Sequence, residues 1–287
     1  KIKSDLGISQ LNLLPSVNWY SGFSEEWSPG EQAAEKRLDE FVSCAINNYK
    51  IGRNRPDQNH ISKLSPHIHF GEISPHNIWN KINRLVKDNI NEESIDHFLS
   101  QLGWREFSHN LLYYWNDLPK TNLQEKFNNF NWASDERKLV AWQKGITGYP
   151  IVDAGMRQLW KTGYMHNRPR MITASFLVKN LLIHWHHGEN WFWDTLVDAD
   201  LANNSASWQW VSGCGADAAP YFRIFNPIIQ GEKFDPNGDY VRKYVPELEN
   251  LPNKFIHKPW EASPEVLQEA NVKLGKSYPR PIVDLRE

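Results

Sequence analysis

Four groups of residues in the 287-residue chain combine side-chain types and spacings that can do chemistry. Phe98, Gln101, Arg105 and Ser108 fall at i, i+3, i+7 and i+10, with Trp104 beside them. One helical stripe thus carries an aromatic ring, an amide, a guanidinium and a hydroxyl. An amide beside a planar cation suits the edge of a heterocycle or a phosphate, and it equally suits an ordinary buried polar patch. Further on, the run Gly163-Tyr164-Met165-His166-Asn167-Arg168-Pro169-Arg170-Met171 puts an amide and two arginines at the start of a helix, where anions are favoured. Arg170 reads as an ion-pair partner for a carboxylate such as Asp198, and Arg168 as free to face an anion.

The third group is Asp198-Ala199-Asp200-Leu201-Ala202-Asn203-Asn204, followed by Ser207-Trp208-Gln209-Trp210. Its two carboxylates belong to a site or to helix capping, with the Asn pair capping the next helix and Asp217 a further cap. The fourth is the loop Ser62-Lys63-Leu64-Ser65-Pro66, whose hydroxyls and backbone N–H groups can cradle a phosphate. It lacks the glycine run and the Gly-Lys-Ser/Thr of a P-loop. His184, His186 and His187 match no standard zinc spacing, so no metal is expected. Cys44 and Cys214 are too few for a disulfide framework, a four-thiolate zinc site or a four-cysteine iron–sulfur cluster.

Charge is divided more sharply than the net value of −2 suggests. Between Ala154 and Gly188 stand five basic residues, four histidines and no acid; between Glu189 and Phe222 stand five acids and no base. Either two adjacent helices pair electrostatically, or one pocket needs cations and carboxylates together; antiparallel neighbours allow both. A near-neutral total argues against a generally basic nucleic-acid binder. Hydrophobic residues at 40% and charged ones at 23% indicate a globular chain with a sizeable core, and the 14 tryptophans are unusual. The segment KIKSDLGISQ has no apolar signal core, and thiol usage suits a reducing cytoplasm.

The elements that must position these groups are helices. Residues 1–30 read as an irregular, linker-like lead-in, and residues 31–287 as one helical domain. Ser28-Pro29-Gly30-Glu31 predicts a capping box with proline at the first helical position, ahead of Leu38, Phe41, Val42, Ala45, Ile46 and Tyr49 at helical spacing. Ser74-Pro75 opens a helix carrying Ile78, Ile82, Leu85 and Val86, and a long helix covers about 92–115. Helix starts are expected at Ser134 and Asp153, with glycine stops at Gly145 and Gly163. The strongest pattern predicts one helix from Pro169 to about His187, ending at Gly188 and interrupted by Lys179 and His184; it is a buried core helix rather than a membrane span. Beyond residue 225 the chain reads as mostly irregular until a short helix near 263–271, with Pro236-Asn237-Gly238 as a tight turn. Period-two alternation is almost absent, so the fold class is all-α.

Taken together, the stretches KLSPHIHFGEISP (63–75), LGWREF (102–107), TGYPIVDAGMRQLW (147–160), GYMHNRPRMITASFLVKNLLIHW (163–185) and DADLANNSASWQWVSGCGADAAPYFRIFNPIIQGEKFDP (198–236) resemble the helical FAD-binding domain of the photolyase/cryptochrome family. The resemblance runs from residue 10 to 280 and looks closest to bacterial class I cyclobutane pyrimidine dimer photolyases. It implies a reduced FAD (FADH−) held in a U shape, and light-driven splitting of a pyrimidine dimer flipped out of UV-damaged DNA. Tyr49, Ser62, Lys63, Leu64 and Ser65 would then hold the diphosphate and ribityl side, with Phe98 and Arg105 nearby. Asp198 and Asp200 would border the isoalloxazine and adenine, Arg170 would pair with Asp198, and Asn204 would face the flavin N5. Gln101, Trp104, Asn167, Arg168, Met171 and Trp210 would line the lesion pocket. Trp208, Trp185 and Trp132 would form a chain that carries electrons from the surface to the flavin.

The chain also departs from the family pattern. Gln101 stands where class I enzymes usually carry glutamate, Ile61 where the phosphate loop typically has threonine, and Phe98 where tryptophan is common. Nothing in the chain resembles the family's N-terminal α/β antenna domain, so no antenna chromophore is expected on it. A six-four photolyase would need histidines where Asn167 and Met171 stand. A cryptochrome-like blue-light photoreceptor is the alternative, and Asn204 at the position opposite N5 favours a photolyase. The resemblance further implies a monomer in the bacterial cytoplasm or nucleoid, with damaged DNA as partner and neither membrane nor metal.

Overall fold

A computed structural model describes residues 8–11, 13–85, 91–217 and 224–285. Val86, residues 1–7 of the lead-in and residues 218–223 of the 198–236 stretch lie outside these. Among the described residues the architecture is helical: only isolated bridges, Ala133 with Ile183 and Leu274 with Tyr278, have β geometry. The α-helices are α1 (Phe23–Glu26), α2 (Glu31–Cys44), α3 (Tyr49–Gly52), α4 (Ser65–His69), α5 (Pro75–Leu85), α6 (Glu92–Tyr114), α7 (Glu136–Gln143), α8 (Pro150–Thr162), α9 (Asn167–Ser175), α10 (Trp185–Thr195), α11 (Leu201–Ser212), α12 (Pro227–Phe234), α13 (Asp239–Tyr244) and α14 (Pro264–Glu269).

Burial organises these helices around two apolar cores. The smaller joins Leu38 and Phe41 of α2, Tyr49 of α3, Ile78 and Ile82 of α5, and Ile95, Phe98 and Leu102 of α6. The larger is built on α7 to α11 and α13, with Trp142, Val152, Leu159, Phe176, Trp185 and Trp208 at its centre. Packing of α6 against α11 brings the two together. Polar residues that neither core absorbs gather along this seam, and the site is there.

Several boundaries differ from those the sequence predicts. No capping box forms at residue 28. Helix α2 starts at Glu31 behind Gly30, whose φ of 107° is open only to glycine and whose N–H donates to Glu72 Oε1 at 2.7 Å. Pro29 therefore lies outside the helix. Asp135, not Ser134, caps α7 by accepting from Lys138 N. Helix α8 starts three residues before Asp153, at Pro150. Asp153 instead reaches back from the first turn to accept from Thr147 N, Thr147 Oγ1 and Gly148 N.

The long helix expected from Pro169 to His187 is two helices. After α9 a π-helical turn spans Phe176–Asn180, and Leu182 then takes a left-handed φ of 54° while its carbonyl accepts from Ala133 N at 2.7 Å. His184 caps a new helix, α10, so Gly188 is not a terminator. It lies inside α10, where a Cβ would overlap the Trp208 ring. Past residue 225 the chain is more regular than expected: Asn226 caps α12 ahead of Pro227, and Asp235 accepts from Tyr240 N and Val241 N at the start of α13. The lead-in is anchored where it is described. Trp19 stacks on Trp160 at 5.3 Å, and Trp27 Nε1 donates to Thr162 O at 2.8 Å.

Candidate functional site

Two adjoining cavities occupy the seam between the cores, of about 310 and 490 Å³. Both fall in the range of small-molecule sites. They share five wall residues, Asn167, Arg170, Asp198, Asp200 and Asn203, so the two meet at a polar corner.

The smaller cavity carries two cations, Lys63 and Arg105, besides the shared Arg170. Ser62, Lys63, Leu64 and Ser65 line one side, Tyr49 and Phe98 the floor, and Gln101 and Arg105 the face of α6. Lys63 is held in the left-handed region at φ 52°, unusual for a residue with a side chain, and its ammonium pairs with Glu26 of the lead-in. Ser65 Oγ donates to Asp198 Oδ2 at 2.6 Å. Arg105 Nη1 donates to the exposed Glu106, leaving the rest of the guanidinium fork to the cavity.

At the shared corner, Arg170 Nη2 donates to both oxygens of Asp198 at 3.0 and 2.9 Å, and Arg170 Nε to Met165 O at 2.6 Å. Tyr164 lies under the same guanidinium at 4.9 Å. Burial raises the phenol pKa of Tyr164, so it stays a neutral hydroxyl. Asp200 caps α11 through Asn203 N at 2.9 Å and also takes Asn203 Nδ2 at 2.6 Å, with His109 Nε2 at 3.3 Å. The cap is thus the aspartate, and the Asn pair, expected to cap, is inside the first turn of α11.

The larger cavity is more apolar. Trp104, Met171, Phe192, Leu196, Trp208 and Trp210 give it aromatic and aliphatic walls, and Asn204 and Ser207 add polar atoms. Asn204 is buried with Nδ2 donating to Glu189 O at 3.0 Å. Burial raises the Glu189 carboxyl to about 7, a rise moderated by the Ser205 hydroxyl that donates to it. Trp104, 59% exposed, stands at the rim.

The residues expected to act together are thus largely gathered, with two exceptions. Arg168 lines neither cavity and is not free: it bonds Asn54 Oδ1 and covers the Phe234 ring at 4.2 Å, with Nε buried and unpartnered. Asn54, on the loop 53–57, supplies the acceptor that holds it there. Gln101 lines the smaller cavity, apart from Trp104, Met171 and Trp210, and its amide is engaged: Oε1 accepts from Arg53 Nη2 at 3.0 Å and Nε2 donates to His97 O at 3.0 Å. Among the tryptophans, Trp208 lines the larger cavity, Trp185 is fully buried with Nε1 on Asn122 Oδ1 at 2.9 Å, and Trp132 is half-buried. Tyr164, His109 and Glu189 carry no site role in the sequence reading. Tyr164 lies within a recognised run, but His109 and Glu189 have only ordinary helix spacing to mark them.

The donor set fits a dinucleotide of the FAD type. Cations and hydroxyls suited to a diphosphate occupy one arm, a carboxylate–amide corner follows, and an aromatic arm can take a flat ring system. Among the described residues no cluster of His, Cys, Asp or Glu has a metal-holding arrangement. Nor is any helix there long and apolar enough to cross a membrane.

Comparison with known proteins gives the same reading. The family model described as the FAD binding domain of DNA photolyase matches residues 98–287. A deoxyribodipyrimidine photo-lyase of Agrobacterium fabrum is 54% identical over 96% of this chain and 58% of its own length. Cryptochrome-1 of Arabidopsis thaliana is 43% identical over 91% of this chain and 39% of its own. The crystal structure of a bacterial class III photolyase from Agrobacterium tumefaciens superposes with a TM-score of 0.94 at 53% identity, covering 98% of this chain and 58% of that one. The chain therefore spans a little over half the length of the photolyases it matches. That structure is of class III, whereas the motifs alone point to class I; the likeness common to both is one of family.

Proposed function

The chain belongs to the photolyase/cryptochrome family, and from that premise we propose that it repairs UV-damaged DNA with light, splitting cyclobutane pyrimidine dimers as a deoxyribodipyrimidine photo-lyase. The observation that carries the reading is the pair of cavities meeting at Asn167, Arg170, Asp198, Asp200 and Asn203. FAD is the cofactor expected in this domain, and the chemistry it supplies when bound and reduced is transfer of one electron to the dimer on illumination.

Residues 31–287 act as one cofactor-holding unit in this reading, with 1–30 as a lead-in. Tyr49, Ser62, Lys63, Leu64, Ser65, Phe98 and Arg105 hold the diphosphate side, where the serine hydroxyls and both cations offset its charge. The Arg170–Asp198 pair and Asp200 fix the corner. Asn204, with its Nδ2 anchored on the Glu189 carbonyl, turns Oδ1 to the ring system. Trp104, Met171 and Trp210 offer apolar faces to the extruded pyrimidine dimer, a sequence-tolerant way of holding bases. Asn167, which lines both arms, links the lesion side to the corner. Gln101 reaches the lesion only by releasing Arg53, and Arg168 acts from behind the wall by fixing the loop that carries Asn54. Trp132, Trp185 and Trp208 relay electrons inward when the cofactor is oxidised.

Trp208→Phe tests this scheme. Photoreduction of oxidised cofactor should be lost, while already reduced protein should still repair dimer-containing DNA. Loss of both together would sink the relay assignment. Photoreduction without repair in the native chain would favour the photoreceptor reading, to which the likeness to Cryptochrome-1 also lends weight.

A further inference from the structure

Outside both cavities, histidines surround the fully buried Trp185. The His184 ring lies 5.1 Å from Trp132 and 5.6 Å from Trp185, and it is inclined only 26° to the latter. His186 packs on the same indole at 4.0 Å and on His184 at 4.5 Å. The backbone holds this group firmly. Ala133 N donates to Leu182 O, so the segment bearing Trp132 is tied to the break between α9 and α10.

The form of His184 follows from its hydrogen bond. As N-cap of α10, its Nδ1 accepts the backbone N–H of His186 at 3.1 Å. Only an unprotonated Nδ1 can accept, so the cap and a positive charge on this ring exclude each other. Burial, together with the neighbouring His186 and His187, pushes the imidazole down to about 4. His186 is itself lowered by burial and by His187.

We propose that His184 is a positioning residue for electron relay, joining Trp132 to Trp185 through an uncharged ring and keeping positive charge away from the outer indole pair. The proposal rests on the relay read above. A bound, oxidised flavin would supply the photo-oxidant, and Trp208 would give it one electron. One electron from Trp185 refills Trp208, and one from Trp132 refills Trp185, so the hole moves outward and no bond changes. A cation about 5 Å from both outer rings raises the energy of a hole on either relative to Trp208. The hole then returns inward before the surface donor can quench it.

The test compares His184→Arg, which places a fixed charge there, with His184→Phe, which keeps a neutral ring; both lose the cap equally. Each flavin-loaded chain is illuminated with an external thiol donor and the rate of photoreduction is followed. The arginine chain should photoreduce slower than the phenylalanine chain by roughly tenfold or more; equal rates would overturn the proposal. A measurement free of light and flavin runs beside it, on unsubstituted protein. Ring 15N resonances of His184 should report an unprotonated Nδ1 at neutral pH, and a protonated Nδ1 would overturn the proposal even if the arginine chain fails to fold. Trp185→Phe separates the two levels. Its loss of photoreduction supports the relay on which the proposal stands, whereas wild-type photoreduction would remove relay and proposal together.

Discussion

Replacing Arg170 with methionine should destabilise the protein most when Asp198 is left as it is. The substitution removes both bonds from Nη2 to the Asp198 carboxylate and the bond from Nε to Met165 O. Asp198, with only 4% of its side chain exposed, then keeps a single donor, the Ser65 hydroxyl. Breaking a buried pair by deleting one partner costs about 3–5 kcal/mol, and the 25% exposure of Arg170 puts this case near ~3 kcal/mol. Asp198→Asn leaves a better-hydrated cation and should cost about 2 kcal/mol. The double substitution removes both charges, so its penalty should also be about 2 kcal/mol, well short of the ~5 kcal/mol sum. The assay is urea unfolding of the flavin-free chain, with all four proteins at one pH and unchanged m-values as a check on two-state behaviour. A coupling of about 3 kcal/mol is expected. Additivity to within ~0.5 kcal/mol would refute the pair as a structural lock on the cavity corner.

Three further outcomes follow from the same geometry. Glu189 holds its proton to about 7 in the folded chain against an ordinary 4.5, so folding takes up a proton between those values. Stability should then fall by up to ~3 kcal/mol as pH rises through that window, and Glu189→Gln should flatten the slope in urea titrations. Asp153→Asn replaces one oxygen by an amide donor and so changes two of the four contacts, Thr147 N and Oγ1 on Oδ1 or Gly148 N and Tyr278 OH on Oδ2; the hydroxyl can turn to accept, but the backbone N–H is left facing a donor. The substitution should cost roughly 2–3 kcal/mol by denaturant midpoint, with FAD affinity in equilibrium dialysis little changed. Gly188→Ala forces a Cβ into the Trp208 ring, so a loss of about 1–3 kcal/mol in unfolding experiments and an altered Trp208 near-UV circular dichroism signal are expected.

Side-chain chemistry was more legible in the sequence than the path of the backbone. Hydroxyls, arginines and aspartates with no apolar period to satisfy do converge on one seam, because burial of α2, α6, α8 and α11 leaves them nowhere else. What periodicity missed are the breaks made by single backbone contacts. Nothing in the run 169–187 announces that Leu182 turns left-handed to reach Ala133, a partner about fifty residues away in sequence. The same break makes His184 a cap and sets it against two indoles. Arg168 was misplaced for a related reason: its acceptor, Asn54, lies on a loop whose approach no local pattern encodes. Gln101 likewise looked available because its partner Arg53 is distant in the chain.

In this scheme one folded seam holds both a flavin and a flipped-out pyrimidine dimer. The most direct test is to illuminate the reduced, flavin-loaded chain with an oligonucleotide carrying a thymine dimer, keep a dark control, and follow thymine absorbance. Recovery in the light alone, with intact thymines as product, is the result expected. Flavin fully bound and no recovery under illumination would contradict it.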